Sequence, residues 1–202
     1  WDQAPHMTEE KQEVLLAGIP EHEKDMRTKG IPFFGEGLIY TCPDKRITID
    51  PFEPQQISWL RYIRAMDLGI GHPTAIVWLA YDPEINRIYV LRTYSEAGLQ
   101  AANHAAVANT YMNFAPCVMP PDIDKREPGS GKTLRDYYYN AGMKNMVDFE
   151  NEAGSRLVET GILMLNDMMF NEKVQAVSTC KEVFQGKAGA HRVEGQIHTK
   201  GQ

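Results

Sequence analysis

Two aspartates stand where acidic side chains can act in concert. Asp67 closes an alternating apolar stretch directly before Leu68-Gly69-Ile70-Gly71, and Asp122 follows Pro120-Pro121 at the end of another apolar stretch. Carboxylates with an ordinary pKa of ~3.9, held a few ångströms apart, repel or share a proton unless a cation lies between them. Oxygen-only ligation at a partly solvated position suits Mg²⁺ or Mn²⁺ rather than zinc. Paired ions about 3.5–4 Å apart are the usual device for attacking a phosphodiester, one activating water and the other stabilising the leaving 3′ oxygen. A plainer reading stands beside this one. An Asp before a Gly-rich turn is commonly only a turn former, and Asp122-Ile123-Asp124-Lys125-Arg126-Glu127 also reads as a solvated charged loop.

Other motifs fail on inspection. Gly129-Ser130-Gly131-Lys132-Thr133 looks like the tail of a phosphate-binding loop, but Arg126 stands where G-x-x-x-x-G-K-[ST] needs Gly. Small residues opening a helix explain it instead, and Lys132 remains available to a DNA phosphate. Gly69-Ile70-Gly71 would need a third Gly at Thr74, and Pro73 leads into a strand rather than a helix, so dinucleotide binding is rejected. His72, His104, His191 and His198 show no metal-ligand spacing and read as surface or satisfied core residues. Tyr137-Tyr138-Tyr139 on a helix must point round two faces, which makes it half core rather than a base-stacking platform.

Strands and helices must position the two acids. Residues 58–67 alternate, 74–81 form a β-branched and aromatic run, and 87–94 form another, with Pro83 to Asn86 as the turn between the last two. A helix is expected over 97–112, a short strand over 116–120, a helix over 133–141 stopped by Gly142, a strand over 145–149 and a helix over 155–170. Strands joined by short turns are antiparallel, and strands separated by helices are parallel. The fold class is therefore α/β: a ribonuclease-H-like mixed sheet, a three-strand meander plus parallel strands, flanked by helices. In such a sheet the ends of neighbouring parallel strands meet at a crevice, where Asp67 and Asp122 are expected. Residues 1–56, rich in Pro and Gly with a short helix over 9–17, read as an N-terminal arm or linker, and residues 57–202 as the main domain.

Composition bounds the partners. The chain has 202 residues, 43% of them hydrophobic, enough for one sizeable core. A formal charge of -6 argues against a cation-coated nucleic-acid binder while leaving room for a local basic groove. Cys42, Cys117 and Cys180 lie far apart, with no disulfide or zinc spacing, which fits a reducing cytoplasm. The longest apolar run, Ala75 to Tyr81, is far short of the ~18 residues that span a bilayer, so no membrane partner is expected. Opening at Trp1 without Met, the chain reads as a fragment.

Taken together and in order, Trp1-Asp2-Gln3-Ala4-Pro5-His6-Met7, Arg27-Thr28-Lys29-Gly30-Ile31-Pro32, Met66-Asp67-Leu68-Gly69-Ile70-Gly71-His72-Pro73-Thr74-Ala75, and Pro121-Asp122 followed by Gly129-Ser130-Gly131 strongly resemble the large terminase subunit of tailed bacteriophages. The resemblance covers essentially the whole chain. It implies a viral DNA-packaging nuclease of the host cytoplasm that cuts concatemeric double-stranded DNA at initiation and termination of packaging. Its partners would be the packaging ATPase domain of the same polypeptide, absent here, together with the small terminase subunit and the portal. The family's first-strand and fourth-strand acids map to Asp67 and Asp122. A further acidic pair is expected where this chain stops, at His198-Thr199-Lys200-Gly201-Gln202. Asp124 is the candidate third ligand for the Mg²⁺ or Mn²⁺, with Asp148 and Glu152 as other substitutes.

DNA phosphates would be held by local charge. Lys125, Arg126 and Lys132 lie beside the acidic crevice, and residues 181–202 are rich in cations, Lys187 and Arg192 among them. Two other readings stand against the nuclease: a catalytically weak module that docks on the portal or grips DNA, and an actin-like ATPase fragment. The latter needs a second Asp-Gly-rich loop, and nothing after residue 150 supplies one.

Overall fold

The computed structural model describes residues 38–54, 57–69, 72–126, 129–149, 158–193 and 196–199, with the backbone alone for 158, 159, 191–193 and 196–199. The helix expected over 9–17 lies outside these residues. The chain divides into two compact units, one of residues 48–154 with 175–183, the other of residues 1–47, 155–174 and 184–202.

The first unit is built on a seven-stranded mixed sheet whose strands lie in the order 48–49, 174–177, 87–96, 74–82, 61–67, 117–119 and 146–148. Its centre is the meander β2 (Arg61–Asp67), β3 (Thr74–Asp82) and β4 (Arg87–Glu96). β3 buries every second residue, and Ile76, Trp78 and Ala80 are at most 2% exposed. That period of two is what a strand with one face against a core requires. Between β3 and β4, Asn86 takes a positive φ of 51°, which Asn tolerates better than most residues, and Asp82 accepts a hydrogen bond from the Glu84 amide. A bulge interrupts the ladder between Trp78 and Leu79.

Beyond β2 the sheet becomes parallel, with β5 (Cys117–Met119) beside β2 and β6 (Met146–Asp148) beside β5. Each is reached through a helix, α2 (Ala101–Asn109) before β5 and α3 (Leu134–Asn140) before β6. β5 is shorter than the expected 116–120 because Pro116 and Pro120 flank it and cannot donate to the ladder. α2 is shorter than the expected 97–112. Gly98 takes φ +73° before it, and Met112 takes φ +49° after it. α3 has a complete capping box, in which the Thr133 hydroxyl accepts from the Asp136 amide and Asp136 accepts from the Thr133 amide.

The opposite edge of the sheet holds β7 (Val174–Val177) and β1 (Thr48–Ile49), paired parallel. Neither is expected from the sequence, and β1 lies N-terminal to residue 57. Strands of four and two residues show too little periodicity to read.

One buried cation ties the parallel strands together. Arg64 on β2 has no exposed surface and, among the described residues, no carboxylate partner. Its Nε and Nη2 donate to the Ala115 carbonyl at 3.2 and 2.9 Å, Nη1 donates to Ala108 at 2.8 Å, and Nη2 donates to Lys144 at 2.8 Å. The guanidinium thereby satisfies a carbonyl in the last turn of α2, where a cation also complements the helix dipole. It also fixes the segments entering β5 and β6.

The second unit contains α1 (Asp44–Ile47), α4 (Val158–Phe170), the later part of α5 (Lys181–Gly189) and the hairpin of β8 (Ala190–Val193) and β9 (Gln196–Thr199). Its apolar clusters are Ile39, Ile162 and Ala190, and Cys42, Ile47 and Met169. Buried Asn166 accepts from the Thr41 amide and donates to the Ile39 carbonyl. Cys42, Cys117 and Cys180 are free, buried thiols. Among the described residues no helix is long and apolar enough to cross a membrane.

Candidate metal centre

Ala65 and Val118 are partners in the parallel ladder of β2 and β5. Two residues further along β2 stands Asp67, and β5 runs on through Pro120 into the turn that carries Asp122. Both acids therefore leave the same edge of two adjacent parallel strands. The Asp122 turn is closed by hydrogen bonds from the Ile123 amide to the Pro120 carbonyl and from the Lys125 amide to the Asp122 carbonyl. Ile123 is buried and anchors the loop, while the Asp122 side chain is 48% exposed.

A tight return holds Asp67. The Gly69 amide donates to Thr74 Oγ1 at 3.2 Å, and Thr74 also shares a hydrogen bond with Tyr138 of α3. A Cβ on Gly69 would lie 1.9 Å from the His72 carbonyl oxygen. Only glycine fits that approach. Burial raises the Tyr138 phenol above its ordinary range, so it stays a neutral hydrogen-bonding group.

The pleat of the sheet sorts the remaining acids. Registered partners in a parallel pair share a face, so Ala65, Val118 and Val147 lie on one side, and Met119 and Asp148 on the other. Asp67, two residues after Ala65, belongs to the first side. Asp148 belongs to the second, where Arg135 of α3 reaches it with Nη2. Arg135 also forks onto Asp124, Nε to Oδ1 at 2.6 Å and Nη2 to Oδ2 at 2.8 Å, and its backbone amide donates to the Ile123 carbonyl at 3.0 Å. The hydrogen bond from Arg135 holds the Asp124 carboxyl below its ordinary value, and the same contact raises the guanidinium.

Asp124, expected as a third ligand, thus has both oxygens engaged by Arg135. Glu152 lies outside the described residues. Among the described residues no three His, Cys, Asp or Glu side chains converge as a metal nest. Two carboxylates on a wet edge still suit a hard cation, because Mg²⁺ keeps several waters and is commonly held by one or two carboxylates plus substrate phosphate.

The expected phosphate-binding residues divide. Lys125 is 77% exposed, with its ammonium 3.5 Å from Asp122 Oδ2. Arg126 and Lys132 flank the loop that leads into α3. Arg126 bridges to Thr133 and donates to the Gly131 carbonyl, and Lys132 lies 5.8 Å from the centre of the Tyr137 ring. Gly129 and Gly131, at φ +103° and +68°, give this loop its turns. Lys187 belongs to the other unit, where its ammonium donates to Asp44 at 2.8 Å and to the Cys42 carbonyl at 2.5 Å with only 12% of the side chain exposed. That engagement leaves little of its charge for a phosphate. The Arg192 side chain lies outside the described residues. Of the histidines, His104 is buried against the Tyr94 hydroxyl at 3.0 Å, and burial lowers its pKa.

Arg135, Thr74 and Tyr138 are the residues sequence reasoning missed. Arg135 leaves one signal: it stands in the first turn of a helix, where the dipole disfavours a cation unless acids are close.

A model of the terminase RNaseH-like domain matches residues 64–201. The large terminase subunit of Salmonella phage P22 is 31% identical over 192 residues, covering 95% of this chain and 38% of that protein. The chain thus spans about two fifths of that relative's length. The P22 large terminase nuclease domain superposes with a TM-score of 0.71 at 28% identity, covering 81% of this chain and 84% of that one. The large terminase nuclease domain of bacteriophage SPP1, solved with bound Mn, shares the fold with a TM-score of 0.53 at 13% identity, over 76% and 86% of the two chains.

Proposed function

Because this chain belongs to the terminase RNaseH-like domain family, we propose that it is the metal-dependent endonuclease domain of a viral DNA-packaging terminase, cleaving concatemeric double-stranded DNA in the host cytoplasm during genome packaging. The observation that carries this reading is the delivery of Asp67 and Asp122 to one edge by adjacent parallel strands. Kinship with the P22 nuclease domain and the Mn bound by the SPP1 domain support it.

In this reading Asp67 and Asp122 hold Mg²⁺ or Mn²⁺, which when bound would activate water and stabilise the leaving oxygen. Gly69, Thr74 and Tyr138 fix the turn that orients Asp67. Ile123 and Arg135 fix the loop that orients Asp122. Lys125, Arg126 and Lys132 hold backbone phosphates without reading bases. The natural partners are a packaging ATPase domain of the same polypeptide, the small terminase subunit and the portal.

The test is incubation of the chain with supercoiled plasmid in Mn²⁺, in Mg²⁺ and in EDTA. Nicking is expected with either ion and not in EDTA. Asp67→Ala and Asp122→Ala should each lower it on the order of 10³-fold, since several kcal/mol of charge stabilisation pass through the ion. DNA retention without metal-dependent cutting would select the docking module instead.

A further inference from the structure

Arg135 does more than close a surface ion pair. Its backbone amide holds the Ile123 carbonyl, one residue from Asp122, and its guanidinium takes both oxygens of Asp124 and one of Asp148. Three of the anchors around the acidic edge thus converge on one residue of α3, whose start is fixed by the Thr133–Asp136 capping box. We infer that Arg135 is a positioning residue that withholds Asp124 from a cation seated at Asp67 and Asp122 while holding the Asp122 loop in place and tying Asp148, across the pleat, to α3. This rests on the metal-dependent reading above.

The physical reason is competition for carboxylate oxygens. An acid forked onto a guanidinium presents few free lone pairs to a metal, and a bidentate pair fixes its orientation as well. Asp148 sits on the opposite side of the pleat from Asp67, and Arg135 draws it toward α3. Without Arg135, the Asp124 carboxylate would stand uncompensated two residues from Asp122, so a cation would gain a ligand in a geometry that does not suit phosphodiester attack.

The experiment is a Mn²⁺ titration of the 202-residue chain, read by calorimetry and by the loss of the free-Mn²⁺ electron-spin signal, with plasmid nicking measured in parallel. Arg135→Gln is expected to bind Mn²⁺ at least tenfold more tightly, or to bind an additional ion, while nicking falls tenfold or more. Adding Asp124→Asn and Asp148→Asn to that variant should return the affinity to the parent value. In the parent background the same two changes should alter Mn²⁺ affinity less than twofold, a readout that stands even if Arg135→Gln unfolds. Unchanged Mn²⁺ binding in a folded Arg135→Gln, or a tenfold loss of affinity in the parent carrying Asp124→Asn and Asp148→Asn, overturns the inference. Mn²⁺ binding that follows this pattern without any nicking would instead leave the positioning role intact and count against the nuclease reading alone.

Discussion

Two arginines do opposite work in the same unit. Arg64 is fully buried, faces no carboxylate among the described residues and binds three carbonyl groups. Arg135, its side chain 28% exposed, binds two carboxylates. The first is a dry knot whose value lies in backbone groups that would otherwise be unsatisfied. The second is a wet clamp, where each exposed ion pair adds little stability and geometry is the larger effect. Fold and site are therefore separable. The strands are fixed by buried hydrogen bonds, and the acids are adjusted by exposed ones.

Changes at the dry knot should produce the largest loss of stability. Arg64→Met leaves the buried carbonyls of Ala108 and Ala115 without partners and should lower unfolding free energy by about 4 kcal/mol. Urea denaturation followed by circular dichroism measures it, and Arg64→Lys should recover only part, because one ammonium cannot reproduce the fork. At the wet edge the larger effect should be on rate. Gly69→Ala pushes a Cβ into the His72 carbonyl, displacing the Asp67 turn, and should reduce nicking roughly 10²-fold, as ångström-scale misplacement does. A comparable loss of unfolding free energy and no change in rate would show that the two regions are not separable.

The knot also has a pH signature. Burial pushes the Cys117 thiol, register partner of Arg64, up to about 11 from 9.0. A thiol raised in the folded state contributes stability that is complete below its unfolded value and is lost as pH rises from 9 toward 11. That loss should be on the order of 2 kcal/mol, measurable as denaturation midpoints across this window, and Cys117→Ala should flatten it. The smallest expected effect is at the entry to the clamp. Thr133→Ala removes one half of the capping box and should cost about 1 kcal/mol, with a modest fall in nicking through Arg135.

Much of this division was readable from residues. The β-branched and aromatic run at 74–81, the turn at 83–86 and the helix stopped by Gly142 each follow from local chemistry, and together they imply the mixed sheet. Asp67 could be placed at a strand end because apolar alternation stops there, while Asp122, expected at the end of the short apolar strand, stands in the turn beyond it. Arg64 could not be read, since a lone Arg in an alternating strand looks solvent-facing until the carbonyls of three distant segments surround it. Nor could the role of Asp124, whose neighbours in sequence suggest a loop and whose partner lies eleven residues on. Edge strand β1 and its neighbour β7 escaped for want of length.

The three-residue strand β6 carries a consequence for how such domains diversify. In a β-ladder a slip of one position turns every side chain over. Deleting a single residue from the connection at 141–145, with the slip taken up by β6, would bring Asp148 round to the side of Asp67 and out of the grasp of Arg135. The pleat, and not the ion pair alone, thus keeps this carboxylate off the side that carries Asp67.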